Sequence, residues 1–445
     1  MLVRYESGPT TYLEEEWFRA TPDGLSNFSL PLVLRIDGPL DRATLQEVIM
    51  TLVQRHEALR TAFRPKGSGI ERIILEKCEP ELPVIDISHI NDVERSVERL
   101  VLSEAGQMVD LTLPPLWRGV IAKVAKDRHL AIFLFHHAIF DGWSGNVFRR
   151  DFTWLYKAKL ARSEPRLPGL AITLGEYAAW ERSVIRPEDS AEYWREQSPR
   201  RPQALPTCDF EGPTVMAAQT YRTIPSECIT SIEGIAGRCG ATIANGMRAT
   251  AVAALAPYLG DGVTIGFLMA ARLPETTAMI GVFADHVIAR CDVGDDPAFC
   301  EVISRLAEST ARAKRYSART GLIRALSPDD RRVDVSINYL PAYGKGKPAR
   351  VSDDPAVDIS VLPIPMESAR PKGILGCPGV VPVAYMLRHE GDGAVRGDVV
   401  GCAYRWGRPS ASAVAVINGL AREFTGTVER AALHPEYPIG RLSRP

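Results

Sequence analysis

The order of apolar and polar residues predicts strands and helices that alternate along the chain. Apolar residues occupy every second position over 28–36, which predicts a half-buried strand. After a turn at 37–39, apolar residues recur at helical spacing over 45–53, and Asp41 precedes them as a candidate N-cap. The same reasoning predicts strands at 72–75, 83–87, 118–125, 129–135, 261–270, 283–293 and 333–340, and helices at 91–106, 148–155, 229–258, 298–316 and 414–428, the last with Ser410 as its candidate cap. This alternation indicates a mixed α/β fold.

The run 129–135 is apolar on both faces, so we expect it in the middle of a covered sheet. It leads into His136 and His137, then Asp141, Gly142 and a helix. A strand end holds a base rigidly, and a neutral imidazole accepts protons near neutral pH. Gly142 permits close approach, and a helix start offers free N–H groups to an oxyanion. Adjacent histidines are more often structural, and an Asp before Gly is more often a cap, so these residues alone leave catalysis open.

Composition narrows the class of protein. The chain has 445 residues, 45% hydrophobic and 24% charged, which excludes a disordered or collagen-like protein. Its net charge of -1 makes a nucleic-acid partner unexpected. It has no apolar run of signal-peptide or membrane-spanning length, and its eight cysteines include no C-x-x-C pair. We therefore expect a cytoplasmic protein with free thiols, no metal site and no membrane partner.

Two stretches bear on domain organisation. The Pro- and charge-bearing stretch 163–169 predicts a boundary between an N-terminal lobe, 1–168, and a C-terminal lobe, 169–445. The stretch 341–382 is rich in Pro and Gly, which predicts long loops or a crossover between lobes.

The stretch 135–144 resembles the H-H-x-x-x-D-G-W-S signature of condensation domains of nonribosomal peptide synthetases. These belong to a superfamily of thioester-dependent acyltransferases that includes chloramphenicol acetyltransferase. Other elements resemble the family in its order, at 55–63, 175–180 with Tyr193-Trp194, 280–283 with Arg290, and 335–339 with Asn338. The likeness runs from about residue 25 to the C-terminus. It departs from the family at 11–17, at 317–321, and at Asp285-His286, which replace Asn-Thr.

The resemblance implies an α/β (α+β) fold of two chloramphenicol acetyltransferase-like lobes, forming a V-shaped pseudo-dimer with a tunnel at their interface. His137 would lie in this tunnel and orient or deprotonate the acceptor, and the Gly142 N–H would stabilise the oxyanion. His136 would be a packing residue. Asp141 would pair with an arginine, for which the sequence leaves three candidates, Arg60, Arg272 and Arg290. Candidates for lining the tunnel are Trp143, Ser144, Asp285, His286 and Asn338.

The resemblance also implies a function. We expect a condensation enzyme that joins an acyl or aminoacyl thioester to an amine or alcohol in nonribosomal peptide, antibiotic or related biosynthesis. The family's domain accounts for this length, so we expect a free-standing enzyme that meets its acyl or peptidyl carrier protein in trans. No bound cofactor is expected, because phosphopantetheine arrives on the carrier as part of the donor. The alternatives are an acyl-CoA-dependent O-acyltransferase of the lipid or wax-ester type and a non-catalytic recruitment domain.

Overall fold

The computed structural model describes residues 4–19, 21, 24–186, 192–193, 196–197, 210–211, 218–316, 335–340, 357–362, 383–389, 395–401, 408–409 and 411–443. The chain forms two compact units. The N-terminal unit comprises Met1–Ile185, Ala270–Ala284 and Tyr343–Pro371, and the C-terminal unit comprises Arg186–Met269, Asp285–Ala342 and Lys372–Pro445. We call Ala270–Ala284 the return segment, because there the chain again belongs to the N-terminal unit.

The elements are numbered along the chain. The strands are β1 (Tyr5–Pro9), β2 (Leu25–Ser26), β3 (Ser29–Asp37), β4 (Thr61–Lys66), β5 (Gly69–Leu75), β6 (Val84–Asp86), β7 (Val109–Asp110), β8 (Trp117–Ala125), β9 (Arg128–His136), β10 (Phe210–Glu211), β11 (Ala218–Ile224), β12 (Gly262–Met269), β13 (Asp285–Asp292), β14 (Val335–Leu340), β15 (Asp358–Val361), β16 (Val383–His389), β17 (Val395–Gly401) and β18 (Arg408–Pro409). The helices are α1 (Tyr12–Arg19), α2 (Arg42–Arg55), α3 (Val93–Ala105), α4 (Gly142–Leu160), α5 (Leu174–Val184), α6 (Ser226–Arg238), α7 (Ile243–Leu259), α8 (Phe299–Arg315), α9 (Ala411–Leu433) and α10 (Ile439–Leu442). The mixed α/β class is confirmed.

The main sheet of the N-terminal unit has the strand order β15-β3-β9-β8-β6, so the central position of β9 is confirmed. Every residue of β9 after the first is buried. Phe133 and Phe135 pack in the same core as α2 and α4, whereas Ile132 and Leu134 pack in the core that contains α3. Helices therefore cover both faces, which explains why the strand is apolar throughout.

The C-terminal unit contains a six-stranded sheet in the order β11-β17-β16-β14-β12-β13. Residues of α6, α7, α8 and α9 form its core together with the sheet. The single helix predicted at 229–258 is wrong, because the chain forms α6 and α7 with a break between them. Gly240 adopts a φ of +66°, and the Thr242 side chain then caps α7.

The N-terminal unit extends past the predicted boundary at 168, as far as Ile185. Leu174 and Tyr177 of α5 belong to the core that contains β9 and α4. The stretch 163–169 is therefore a connection between two helices of one unit, and its proline content reflects a loop.

Several predictions fall outside the described residues. They concern the cap at Ser410, residue Trp194, the stretch 317–321 and most of 341–382. Among the residues that are described, no helix combines the length and apolar character needed to cross a membrane.

A buried ionic cluster anchors α1. The Tyr12 backbone N–H donates to Glu181 Oε2 (2.7 Å), and the Tyr177 hydroxyl donates to Glu181 Oε1 (3.1 Å). Glu14 Oε2 lies 3.7 Å from Nε of Arg72, which is fully buried. Burial disfavours the charged carboxylates, raising the pKa of Glu181 to about 7 and raising that of Glu14 as well.

Replacement of Glu181 by Gln is expected to change how stability depends on pH. The pKa of Glu181 is higher in the folded chain than the ordinary 4.5, so its contribution to stability is present at acidic pH and lost as the pH rises through about 7. Gln mimics the protonated acid. Between pH 5 and 8 the stability of Glu181→Gln relative to the parent should therefore rise by roughly 2 kcal/mol, measured by urea unfolding.

The matched control is Glu176→Gln on the same helix. Hydrogen bonds with Thr173 lower the pKa of Glu176, so this change should leave the pH dependence between 5 and 8 unaltered. Equal pH dependence in Glu181→Gln and the parent would contradict the assignment.

Candidate active site

His136 is the last residue of β9 and is completely buried. Its Nδ1 accepts a hydrogen bond from the Ala138 backbone N–H (3.1 Å), so the ring proton lies on Nε2. Burial lowers the pKa of His136 to about 3, which keeps the ring neutral. The side chain therefore serves packing and the turn that follows the strand.

His137 differs from its neighbour in being held by aromatic rings. Its ring lies nearly parallel to that of Trp17 (centroids 4.7 Å apart, 19° between planes) and 5.3 Å from that of Phe28. Its backbone N–H donates to the Phe28 carbonyl (2.9 Å). Nδ1 is buried and has no hydrogen bond within the described part of the chain. The residue as a whole is half-buried, so its remaining exposure belongs to other atoms.

The electrostatic surroundings of His137 favour its neutral form. Burial lowers its pKa below the usual 6.5, while the charge of Asp141 and the backbone of His137 and Phe140 act in the opposite direction. A neutral imidazole with one shielded nitrogen is equipped to accept a proton on the other.

Asp141 joins the start of α4 to the return segment. Its Oδ1 accepts from the Ser144 backbone N–H (2.8 Å), which caps α4, and from Arg272 Nη2 (2.9 Å). Its Oδ2 accepts from the backbone N–H groups of Phe283 (3.0 Å) and Ala284 (3.2 Å). The carboxylate is 1% exposed, so these four donors replace its hydration.

Among the three candidate arginines, the structure pairs Arg272 with Asp141. The Arg60 guanidinium instead donates to a backbone carbonyl of β5 (2.6 Å), and Arg290 pairs with Asp292 (3.0 Å). Arg272 is itself buried, so its partner is a structural requirement.

Trp143 and Ser144 also hold the return segment. The Ser144 hydroxyl donates to the Gly281 carbonyl (2.7 Å) and accepts from the Gly281 N–H (3.0 Å) and from Arg272 (2.9 Å). The Trp143 indole donates to the Thr277 carbonyl (2.9 Å), although this side chain is 43% exposed. Ser144 was expected to line the tunnel, but its side chain is buried and its hydroxyl is occupied by these three hydrogen bonds.

Gly142 is the first residue of α4 and is exposed. Its backbone N–H has no partner among the residues that the structure describes. The N-terminus of this helix carries the positive end of the helix dipole, so a free N–H here suits a developing anion.

The remaining candidates belong to the C-terminal unit. Asp285 begins β13 and is buried, and Asn338 Oδ1 on β14 accepts from the Leu268 backbone N–H (2.9 Å). His286 pairs with Leu268 in the strand register, and its side chain is not among those described. A role in lining the substrate tunnel stays a prediction for these three residues.

Sequence reasoning missed Trp17 and Phe28, whose aromatic rings contact the His137 ring. The stretch 11–17 resembles the family's opening element, S-x-A-Q-x-R-L-W, only poorly, but it ends in the same residue type, at Trp17. The presence of this tryptophan was the sequence signal that could have pointed to Trp17.

The family-like element at 55–63 has a structural role, because its first residues contact α4. His56 Nε2 lies 3.2 Å from Asp151 Oδ2, and Arg55 Nε lies 3.1 Å from the same oxygen. These contacts join α2 to α4. Within the described residues, no group of three or more His, Cys, Asp or Glu side chains is arranged to hold a metal ion.

The replacement Asp141→Asn is expected to destabilise the protein by about 3–5 kcal/mol, because it leaves the buried Arg272 charge without its partner. Urea unfolding measures this cost. Arg290→Gln is the matched control: its partner Asp292 is 72% exposed, so the expected cost is below about 1 kcal/mol. Similar costs for the two variants would contradict the central role of Asp141.

Comparison with known proteins identifies the family. The family described as "Condensation domain" matches residues 17–360. A linear gramicidin synthase polypeptide of Brevibacillus parabrevis is 30% identical over 351 residues, which cover 75% of this chain and 7% of that protein. The chain thus spans a small fraction of this much longer relative.

Solved structures agree in fold. The X-domain from teicoplanin biosynthesis has a TM-score of 0.76 at 22% identity, covering 99% of this chain and 98% of the other. The first condensation domain of the calcium-dependent antibiotic synthetase, in complex with a substrate analogue, has a TM-score of 0.74 at 19% identity, covering 98% and 99%. The family match spans most of the chain, including the histidine motif, and this protein therefore belongs to the condensation-domain family of nonribosomal peptide synthesis.

Proposed function

We propose that this protein is a condensation enzyme that transfers an acyl or aminoacyl group from a carrier-tethered thioester to an amine or alcohol. The observation that carries the proposal is His137, a neutral and half-buried imidazole with a shielded Nδ1, five residues before the free N–H of Gly142. A base and an oxyanion donor are the two groups that acyl transfer requires.

The chemical step needs one proton acceptor. Nδ1 of His137 is buried, so Nε2 would be the nitrogen that acts as the base. Nε2 takes the proton from the acceptor nitrogen or oxygen as that atom attacks the thioester carbonyl. The new C–N or C–O bond forms, the C–S bond breaks, and the proton passes to the departing thiolate of phosphopantetheine. Positioning of the two reactants supplies much of the rate.

Gly142 would stabilise the negative charge that develops on the carbonyl oxygen during attack. Its N–H stands at the start of a 19-residue helix, so the donor is fixed before the reaction begins. The donor substrate would be a phosphopantetheine thioester delivered by an acyl or peptidyl carrier protein in trans, and the acceptor a small amine or alcohol.

A recruitment role is the second candidate, favoured by the similarity in fold to the X-domain from teicoplanin biosynthesis. The intact His-His and Asp-Gly residues and the neutral state of His137 weigh towards catalysis. Consumption of CoA-bound rather than carrier-bound donors would point instead to an acyltransferase of the lipid or wax-ester type.

His137→Gln is expected to lower turnover by roughly 10²–10⁴-fold with stability unchanged, because it removes the base. Intact-mass spectrometry of carrier-loaded acyl donors, mixed with a panel of small amines and alcohols, measures product and free thiol. His89→Gln is the control, since His89 is an exposed residue of the same unit. Full turnover in His137→Gln would refute the enzyme proposal.

The oxyanion role of Gly142 is tested by removing its N–H. Proline is tolerated at the first position of a helix, and Asp141 has the extended backbone (φ -124°, ψ 177°) that a residue before proline requires. Gly142→Pro should therefore keep α4 and lower kcat by roughly 10²–10³-fold.

Gly142→Ala retains the N–H and is the matched control, expected to keep most of the activity. Equal losses in the two variants would argue against a role for the N–H and in favour of a steric effect at this position.

A further inference from the structure

We propose that Trp17 is a positioning residue that sets the orientation of the His137 ring, an inference that rests on the proposed function. The rings of Trp17, Phe28 and His137 contact one another, with centroid separations of 4.7–5.3 Å. Trp17 also meets His136 edge-on at 6.4 Å. One side chain from α1 therefore contacts both histidines of the motif.

The need for such a residue follows from what His137 lacks. In a hydrolase triad, a carboxylate orients the imidazole through a hydrogen bond to Nδ1. Here Nδ1 has no hydrogen bond among the residues described, and the nearby carboxylate of Asp141 already accepts four donors. The second side-chain torsion of histidine is broad and weakly restrained by itself. The face of the indole supplies the missing restraint.

Trp17 can fulfil this role because α1 is firmly placed. The N-terminal turn of α1 is tied to Glu181 through the Tyr12 N–H (2.7 Å). At the other end, the Phe18 ring packs edge-on against Phe63 of β4 (6.2 Å). The indole is thus carried by an element that is anchored on both sides, as precise positioning of a catalytic group requires.

The charged and titratable groups near His137 do not include Trp17, so replacing Trp17 tests the position of the ring without removing a charge. Asp141 favours the protonated ring, and His136 is neutral. Trp17 carries no charge, so its replacement should lower kcat through misorientation of Nε2 and leave the binding of substrate little changed.

Trp17→Leu removes the flat ring, and Trp17→Phe retains one. We expect Trp17→Leu to lower kcat by roughly ten- to a hundredfold, with KM changed by less than about threefold, and Trp17→Phe to restore most of the loss. Trp180→Leu is the matched control, because Trp180 is 39% exposed and contacts Tyr177 in the same unit. Its kcat should equal that of the parent.

A second measurement does not depend on activity. The chain has seven tryptophans, so protein labelled with 5-fluorotryptophan should give seven ¹⁹F resonances. The resonance that disappears in Trp17→Phe belongs to Trp17. It should move in His137→Gln, whereas the Trp180 resonance should keep its position.

The outcomes distinguish this inference from the proposed function. If His137→Gln is inactive while Trp17→Leu keeps the parent kcat, the positioning role is refuted and the enzyme proposal stands. If the Trp17 resonance does not respond to His137→Gln, the ring contact is absent and the inference is also refuted. If His137→Gln is fully active, the proposed function fails. If Trp17→Leu does not fold, Phe28→Leu tests the same cluster by the same kcat and KM measurements.

Discussion

The buried carboxylate of Asp141 is the interaction on which this site depends. It caps α4, pairs with Arg272 and accepts two backbone N–H groups of the return segment. A buried charge is tolerated only when it is paired and hydrogen-bonded. Separation of the start of α4 from the return segment would break these contacts, so the carboxylate holds the two together. The loop between His137 and Gly142 is consequently held at its far end.

Because the Asp141 carboxylate already accepts four hydrogen bonds, it also affects how His137 is held. A carboxylate with four donors is not available to orient an imidazole, and His137 is restrained by aromatic packing instead. The two adjacent histidines thus have different physical states. His136 is hydrogen-bonded, sealed and neutral with a pKa of about 3, whereas His137 is stacked and keeps partial exposure. Of the two rings, only that of His137 keeps partial exposure, as the proposed role requires.

Local features of the fold could be predicted from the sequence. The run 129–135 carries apolar residues on both faces because helices cover both faces of β9. Asp41 was predicted as the cap of the helix that follows, and its side chain accepts from the Ala43 N–H. These features depend on neighbours along the chain, so periodicity and residue type are sufficient to find them.

Long-range features could not be predicted in this way. The partner of Asp141 lies 131 residues away, and nothing local distinguishes Arg272 from Arg60 or Arg290. Prolines mark a loop whether or not a domain ends there, so the stretch 163–169 does not reveal that the N-terminal unit continues to Ile185. The ring contact between Trp17 and His137 joins α1 to the end of β9, which only the folded chain reveals.

The most direct test of the account is the pH dependence of acyl transfer in a single turnover, from a carrier-bound donor to an alcohol acceptor. An alcohol does not titrate between pH 5 and 8, so the profile reports the enzyme. Because burial lowers the pKa of His137, the rate should fall only below a midpoint under 6.5 and be constant at neutral pH, and this step should vanish with the activity in His137→Gln. A parent rate that falls with a midpoint above 6.5, or a pH profile that His137→Gln leaves unchanged, would contradict the assignment of His137 as the base.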